Sequence, residues 1–534
     1  MNKLYYGDNL TVLRGCFDDE SVDLVYLDPP FNSRQDYNVL FRSTSGEDSQ
    51  AQIQAFDDSW HWGDEAELAF DGVMTSQNVD AAEVLRSLRA FLKENDMMAY
   101  LCMMAIRLVE LRRVLRPAGS IYLHCDATAA HYLKLLMDAV FGTQCFRSEI
   151  TWKRTSAHAN VGQRYAAVQD RVLFYTAGDK WTWNQTYLPY TEEYITSHYG
   201  QIEPGTQRRF TTRDLTASMQ RASSGQLYDW KGFRPPASRC WAYSRDNMEA
   251  FEERGLLVHS ERGMPRLKLY LDQMPGVPCD DLWVDIPPIN SQAQERLGYP
   301  TQKPLALLER IITASSNESD VVLDPFCGCG TAIHAAHKLK RAWVGIDITH
   351  LAISLIEKRL KDAFPGIQYE VHGTPKDLDG ARDLAMRDKY QFQWWAVSLV
   401  NAVPFAGKKK GADTGIDGLI YFKPEGKATE KAIVSVKGGE HVGVAMVRDL
   451  AHVVDREKAK IGVLITLAEP TGPMKTEAVT VGFYETLYGK YPKIQILTIA
   501  ELFAGKQPNI PLVDPSAFKR AARESTGQQD GLSF

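Results

Sequence analysis

Val22-Asp23-Leu24-Val25-Tyr26-Leu27-Asp28-Pro29-Pro30-Phe31 is an apolar run that ends abruptly in an acid, two prolines and an aromatic ring. Consecutive prolines fix φ and bring no N–H to a ladder, so a buried strand must stop there and present its last residues at its carboxyl edge. In open α/β sheets ligands bind at that edge. The Asp28 carboxylate and the Pro29 carbonyl are acceptors for the two hydrogens of one planar amino group, and Phe31 offers a face to a flat heterocycle. An exocyclic base amine has that shape. A strand ending in a plain Pro-Pro turn with a loop aspartate fits the same residues, so the rest of the chain has to decide.

The chain has 534 residues, enough for three or four domain-sized units, with 44% apolar and 24% charged residues, an ordinary globular composition. The net charge of −6 argues against coating nucleic acid by bulk charge and leaves that role to a local basic patch. Eight cysteines occur with no CxxC and no Cys/His cluster, so they read as reduced thiols of a cytoplasmic protein without a zinc site or disulfide framework. No long apolar stretch points to a signal peptide or a membrane span.

Upstream of the opening stretch, Asp8 follows Tyr6-Gly7 and precedes Leu10 and Leu13 at helical spacing, the place of an N-cap. Residues 32–80 are polar and read as a long loop. From Val84 to Leu115 the apolar period is helical and stops at Pro117-Ala118-Gly119; Ser120 to His124 reads as a strand and Ala129 to Phe141 as a further helix. Alternation of this kind predicts a parallel sheet with helices.

From about 155 to 290 the period fades. Between Gly205 and Arg245 stand eight bases, Arg208, Arg209, Arg213, Arg221, Lys231, Arg234, Arg239 and Arg245, against two acids, with Trp230, Phe233, Trp241 and Tyr243 among them. That mixture suits phosphate contacts with stacking, or an irregular surface domain with a small aromatic core. Regular pattern returns with the helix at Leu305–Ile312, after Thr301-Gln302-Lys303-Pro304, and then the strand Asp320–Asp324. The turn Pro325-Phe326-Cys327-Gly328-Cys329-Gly330-Thr331 leads to a helix, the strand Arg341–Asp347 and a helix over Leu351–Leu360. Gly328 and Gly330 let the backbone approach a ligand, and Asp347 stands where a ribose diol would be held, although Ile333 replaces a third glycine. A structural tight turn remains the alternative.

An amine-binding turn at 28–31 and an adenosyl-type turn at 324–330 in this order, around an arginine-rich insertion, resemble the β class of DNA amino-methyltransferases, and within it the modification subunits of type III restriction systems. The resemblance covers about residues 1–375. It implies a Rossmann-like α/β methyltransferase sheet divided into a catalytic part (1–154), a target-recognition insertion (155–290) and a cofactor part (291–380). It further implies S-adenosylmethionine held by Asp324, Pro325, Phe326, Gly328, Gly330 and Thr331. Asp347 would take the ribose, Asp8 the neighbourhood of the adenine ring, and Thr301 and Lys303 the methionine end.

By the same resemblance Asp28, Pro29, Pro30 and Phe31 would hold a base flipped from double-stranded DNA, with Arg208, Arg209, Arg213, Arg221, Lys231 and Arg234 on the DNA. No metal is required for methyl transfer. An Asp at the first position of the tetrapeptide usually accompanies adenine N6 in this family, and Ser cytosine N4. The family setting brings in a restriction-subunit partner or a homodimer, and no membrane. A DNA-binding scaffold without activity would not need these motifs.

After about residue 380 a smaller α/β unit (381–534) begins, with strands at Ala432–Lys437 and Ile461–Thr466 around a helix at Val444–Lys458. Asp417 and Lys437 resemble the acid and lysine of Mrr-type PD-(D/E)xK nucleases, in which Mg²⁺ sits on acidic or amide groups and the lysine positions water. Ser435 stands where Glu or Gln is expected. Two readings follow, a working nuclease in a fused restriction and modification enzyme with Asp417 as metal ligand, and a decayed nuclease fold kept for DNA binding or assembly.

Overall fold

The computed structural model describes residues 2–30, 37–42, 48–56, 61–156, 163, 165–221, 226–259, 263–290, 293–297, 299, 301–405, 415–424, 429–487, 489–511 and 524. Phe31 lies outside the described residues.

One nine-stranded sheet organises residues 3–372. Its strands are β1 (Lys3–Tyr6), β2 (Val22–Leu27), β3 (Leu115–Cys125), β4 (Phe146–Lys153), β5 (Gln169–Thr176), β6 (Leu282–Trp283), β7 (Val321–Asp324), β8 (Ala342–Asp347) and β9 (Glu370–His372). They lie in the order β6-β4-β5-β3-β2-β7-β8-β1-β9, parallel except for β5, which runs against β3 and β4. The helices that shape the site are α1 (Asn9–Cys16), α2 (Asp96–Val114), α3 (Ala130–Phe141), α4 (Leu305–Ser315), α5 (Thr331–Lys338), α6 (His350–Ala363), α7 (Leu378–Arg387) and α8 (Lys389–Leu399).

From β7 the chain proceeds to β8 on one side, and from β2 to β3 on the other. Strands β2 and β7 are themselves neighbours, with Leu24 beside Val322 and Val25 beside Leu323. Their carboxyl ends therefore flank the crevice where the strand order reverses. Leu24 and Tyr26 pack with Leu308, Ile312, Ile333 and Ile356 on one face of the sheet; Val22, Val25 and Leu27 pack with Leu101, Met104 and Leu133 on the other. A strand covered on both faces needs apolar residues throughout, which is why this stretch shows no alternation.

Three segments differ from the sequence reading. The helix expected over 84–115 is two, Val79–Leu92 and α2. Lys93 breaks it at φ 62°, and the Asn95 side chain starts the next by accepting from the Met98 N–H at 2.9 Å. The polar stretch 32–80 holds strands Tyr37–Arg42 and Asp48–Phe56 and the helix Asp64–Met74; this helix opens on Asp64, Glu65 and Glu67, acids that favour a helix N-terminus while looking like loop composition. Strand β5 lies inside the segment expected to be an insertion, because its Val172 and Phe174 complete the main sheet beside β3 and β4.

The inserted compact unit is accordingly narrower, Gln185–Asp280. By itself it is a four-stranded antiparallel sheet, Leu257–His259, Pro265–Tyr270, Arg209–Asp214 and Gln201–Ile202 in spatial order, around Leu215, Trp230, Trp241, Met248 and Leu267. Trp230 and Trp241 are fully buried, so these aromatics are core and not a stacking platform.

The C-terminal strands β10 (Val403–Pro404), β11 (Gly418–Phe422), β12 (Glu430–Lys437), β13 (Ile461–Thr466) and β14 (Ile494–Thr498) form a separate five-stranded sheet in that order, covered on one side by α9 (Val444–Arg456). This layer belongs to the same compact unit as the nine-stranded sheet. Its other side packs on α7 and α8, and Tyr6 at the end of β1 joins that apolar cluster.

Candidate active site

A cavity of about 300 Å³ opens at the carboxyl ends of β2 and β7, at the lower end of the range for ligand pockets. Asp28, Pro29 and Pro30 form one wall, and Asp324, Pro325, Phe326, Gly328 and Thr331 the facing one; Asp8, Asp347, Thr301 and Lys303 complete it. Residues separated by some 300 positions in sequence thus meet because β2 and β7 pair. Gly330 is not in the wall; it supports the turn from behind.

The turn after β7 depends on its glycines. Gly328 (φ 48°) and Gly330 (φ 75°) are left-handed. A Cβ on Gly330 would lie 2.8 Å from Ile356, and one on Gly328 3.3 Å from Tyr299, so the backbone at both positions strains any side chain and the space at Gly330 is too small for one. The Gly328 N–H donates to Asp347 Oδ2 at 2.9 Å, while the Thr349 N–H and Oγ1–H each donate to Oδ1 at 2.9 Å. Burial pushes the Asp347 carboxyl up to about 6 against those hydrogen bonds. Asp324 accepts from the Phe326 N–H at 3.1 Å, and burial, with Asp28 and Asp347 near by, holds its carboxyl well above the usual range. Beneath the turn the buried Arg359 guanidinium donates to the Cys329 carbonyl and to Thr331 Oγ1, both at 3.1 Å.

Asp8 is both an N-cap and part of the wall. Its Oδ2 accepts from the Thr11 N–H at 2.9 Å and its Oδ1 from Arg107 Nη2 at 2.6 Å. Arg107, on α2, also donates to Asn9 Oδ1 at 2.5 Å, and Asn9 Nδ2 donates to the Pro325 carbonyl at 2.8 Å. This chain ties α1 and α2 to the turn after β7.

At the wall formed by Asp28, Pro29 and Pro30, Lys303 Nζ donates to Asp28 Oδ2. Below lies a buried polar row: Tyr26 Oη and His124 Nδ1 share a hydrogen bond of 3.0 Å, and His124 Nε2 and Asp170 Oδ2 one of 3.2 Å. Arg154 Nε stands 3.0 Å from Asp170 Oδ1. Burial raises the Asp170 carboxyl, but His124, Lys303 and Arg154 outweigh it and hold the group below the usual range. Sequence reasoning passed over Tyr26, Arg107, Tyr299 and Thr349, all in the wall. Tyr26 alone carried a signal, since it precedes Asp28 by two positions on a strand buried at every position but Asp23.

The basic residues of the inserted unit are largely engaged within it. Arg208 makes paired contacts of 2.8 and 2.7 Å to Asp272, Lys231 pairs with Glu252 and Arg234 lies 3.2 Å from Asp229. Arg209 and Arg213 are exposed on their strand, and the Arg221 side chain lies outside the described residues. Gln185–Asp280 holds twelve bases and twelve acids, so the excess between 205 and 245 is balanced by acids from either side of it. In the C-terminal layer, Asp417 Oδ2 accepts from the Val436 N–H at 2.6 Å and from Ser435 Oγ at 3.4 Å. Among the described residues no three Asp, Glu, His or Cys side chains converge as metal ligands.

Residues 22–358 match the family described as DNA methylase, the N6/N4 methyltransferases. The chain belongs to that family. The methylase is 28% identical over 359 residues to the type II methyltransferase M.EcaI of Enterobacter cloacae, covering 67% of this chain and 69% of that protein. It is 26% identical over 352 residues to the StyLTI Mod subunit, from a type III restriction-modification enzyme of Salmonella typhimurium, covering 63% of this chain and half of that one. Among solved structures, TTHA0409 of Thermus thermophilus, complexed with S-adenosyl-L-methionine, aligns at 15% identity and a TM-score of 0.34 over 70% of the methylase and 98% of its own chain. Residues 398–504 of the methylase match a second family, described as NACHT-associated inactive restriction endonuclease 1.

Proposed function

We propose that this DNA methylase transfers a methyl group to N6 of an adenine turned out of double-stranded DNA, in a restriction and modification setting. The observation that carries the reading is the meeting of Asp28 and Pro29 with the Asp324–Thr331 turn and Asp347 in one cavity. S-adenosylmethionine supplies the methyl group as a sulfonium. The cavity suits it: Asp347 is an acceptor for a ribose diol, Asp324 is a buried carboxyl whose burial an ammonium group would offset, and the left-handed Gly328 brings no side chain into the wall.

A conjugated exocyclic amine is a poor nucleophile. Asp28 and the Pro29 carbonyl would accept its two hydrogens, orient its lone pair and stabilise the charge that develops on nitrogen. The lone pair forms the N–C bond, the C–S pair leaves with sulfur, and the surplus proton passes to the Asp28 carboxylate. An acid at position 28 favours adenine over cytosine by the family resemblance. Arg209 and Arg213, exposed on one strand of the inserted unit, are the best placed of its bases for phosphate.

Residues 398–504 would bind or scaffold without cutting DNA, because the Asp417 carboxylate is turned back onto the Val436 N–H and the Ser435 hydroxyl, and Ser435 supplies only that hydroxyl. The test of the main reading is incubation with tritiated S-adenosylmethionine and unmodified DNA, followed by long-read sequencing of the product. N6-methyladenine at one sequence is expected, lost in Asp28→Asn; absence of label, or label on cytosine, overturns it.

A further inference from the structure

The carboxylate that is to receive the base amine already has a cation on it. Lys303 comes from the segment before α4, far from β2 in sequence, yet its ammonium donates to Asp28 Oδ2, and the two side chains are only 10% and 16% exposed. We propose that Lys303 is a positioning residue for methyl transfer: it fixes the Asp28 carboxylate through Oδ2, so that Oδ1, together with the Pro29 carbonyl, is the acceptor for the target amine. The inference rests on the methyltransferase reading and gives Lys303 a role other than contact with the methionine end of the cofactor.

Three features carry it. Pro29 fixes the backbone directly after Asp28, leaving the side-chain torsions of Asp28 as the freedom that decides where its oxygens point. Lys303 removes that freedom from a seat that is itself held. The neighbouring Gln302 accepts from the Leu297 N–H at 2.8 Å and donates to the Glu295 carbonyl at 2.5 Å, and the Leu305 N–H donates to Glu295 Oε2 at 3.0 Å. The ammonium also has a second acid in reach of its charge, since Lys303 is one of the groups that hold Asp170 ionised, and Asp170 is in turn fixed by His124 and Arg154. A donor seated on Oδ2 orients Asp28 and leaves Oδ1 to the base amine. Preorganised acceptors of this kind contribute because they need no rearrangement as charge develops on the amine.

The experiment is steady-state methylation by the full chain beside equilibrium binding of S-adenosylmethionine and of target DNA, for wild type, Lys303→Met, Lys303→Gln and Lys303→Arg. With Met, kcat at saturating cofactor and DNA is expected to fall about a hundredfold, as for a misplaced reacting group, while both dissociation constants stay within about threefold, a shift of under 1 kcal/mol. Arg keeps a charged donor and restores most of kcat; Gln, a neutral donor, restores part. If the Met variant does not fold, the Gln and Arg variants carry the same comparison. An unchanged kcat, or a cofactor dissociation constant raised about tenfold or more with kcat intact, overturns the inference. A wild-type chain that binds the cofactor and methylates no DNA instead overturns the methyltransferase reading beneath it.

Discussion

The side-chain oxygen of Gln391, on α8, accepts the backbone N–H of His350 at 3.2 Å. His350 follows Thr349, whose N–H and hydroxyl hold Asp347, and its ring stacks on Tyr6 with centroids 3.6 Å apart. The helices that lead into the C-terminal layer therefore touch the rim of the cavity by way of α6. Gln391→Ala leaves a partly buried N–H without its acceptor, a loss of about 1 kcal/mol. The S-adenosylmethionine dissociation constant is expected to rise by roughly threefold to tenfold, with kcat at saturation unchanged. Isothermal titration of the variant checks this; equal affinity would mean that the contact holds the layers together without reaching Asp347.

The C-terminal layer itself yields a second expectation. The Val436 N–H is satisfied by Asp417 on a strand where Val436 is 2% exposed. Asp417→Ala orphans it and should lower stability by about 1–3 kcal/mol, read as a lower melting temperature. Supercoiled DNA incubated with Mg²⁺ or Mn²⁺ should show no nicking above background by wild type, and Asp417→Ala should not differ from it. Metal-dependent nicking that disappears in the variant would instead make Asp417 a working ligand.

The sequence made legible what depends on local chemistry. The double proline after an unbroken apolar run marks the end of β2, and the left-handed Gly328 and Gly330 mark the turn after β7, because few residue types tolerate those conformations. It concealed what depends on partners brought from a distance. Nothing near Asp28 announces Lys303, and nothing near Asp8 announces Arg107, since α2 and the segment before α4 arrive through the fold. The acids that pair with the basic window at 205–245 were hidden for the same reason: Glu252 and Asp272 reach Lys231 and Arg208 from outside it. Strand β5 was lost within the insertion because an antiparallel strand that closes the far half of a sheet interrupts the βα alternation.

Asp347 gives the site a pH dependence with a defined sign. Its carboxyl titrates near 6 in the folded protein, against about 3.9 in an unfolded chain. Between those values the folded state binds more protons than the unfolded state. Its contribution therefore favours folding below about pH 4 and is lost as pH rises through 6. With Asp347 on the ribose, as proposed, binding of S-adenosylmethionine would run the opposite way, because the ribose hydroxyls would donate to the ionised carboxylate. Affinity should fall as pH drops below 6, approaching about tenfold per unit, and level off above it. The thermal shift produced by the cofactor should therefore grow between pH 5 and 7, even as the contribution of Asp347 to the unliganded protein declines. Asp347→Asn, which cannot titrate, should bind weakly and lose the inflection near pH 6, keeping only the dependence that Asp324 brings. Dissociation constants measured across that range decide it: a wild-type profile of the same shape as that of the variant would remove Asp347 from the ribose.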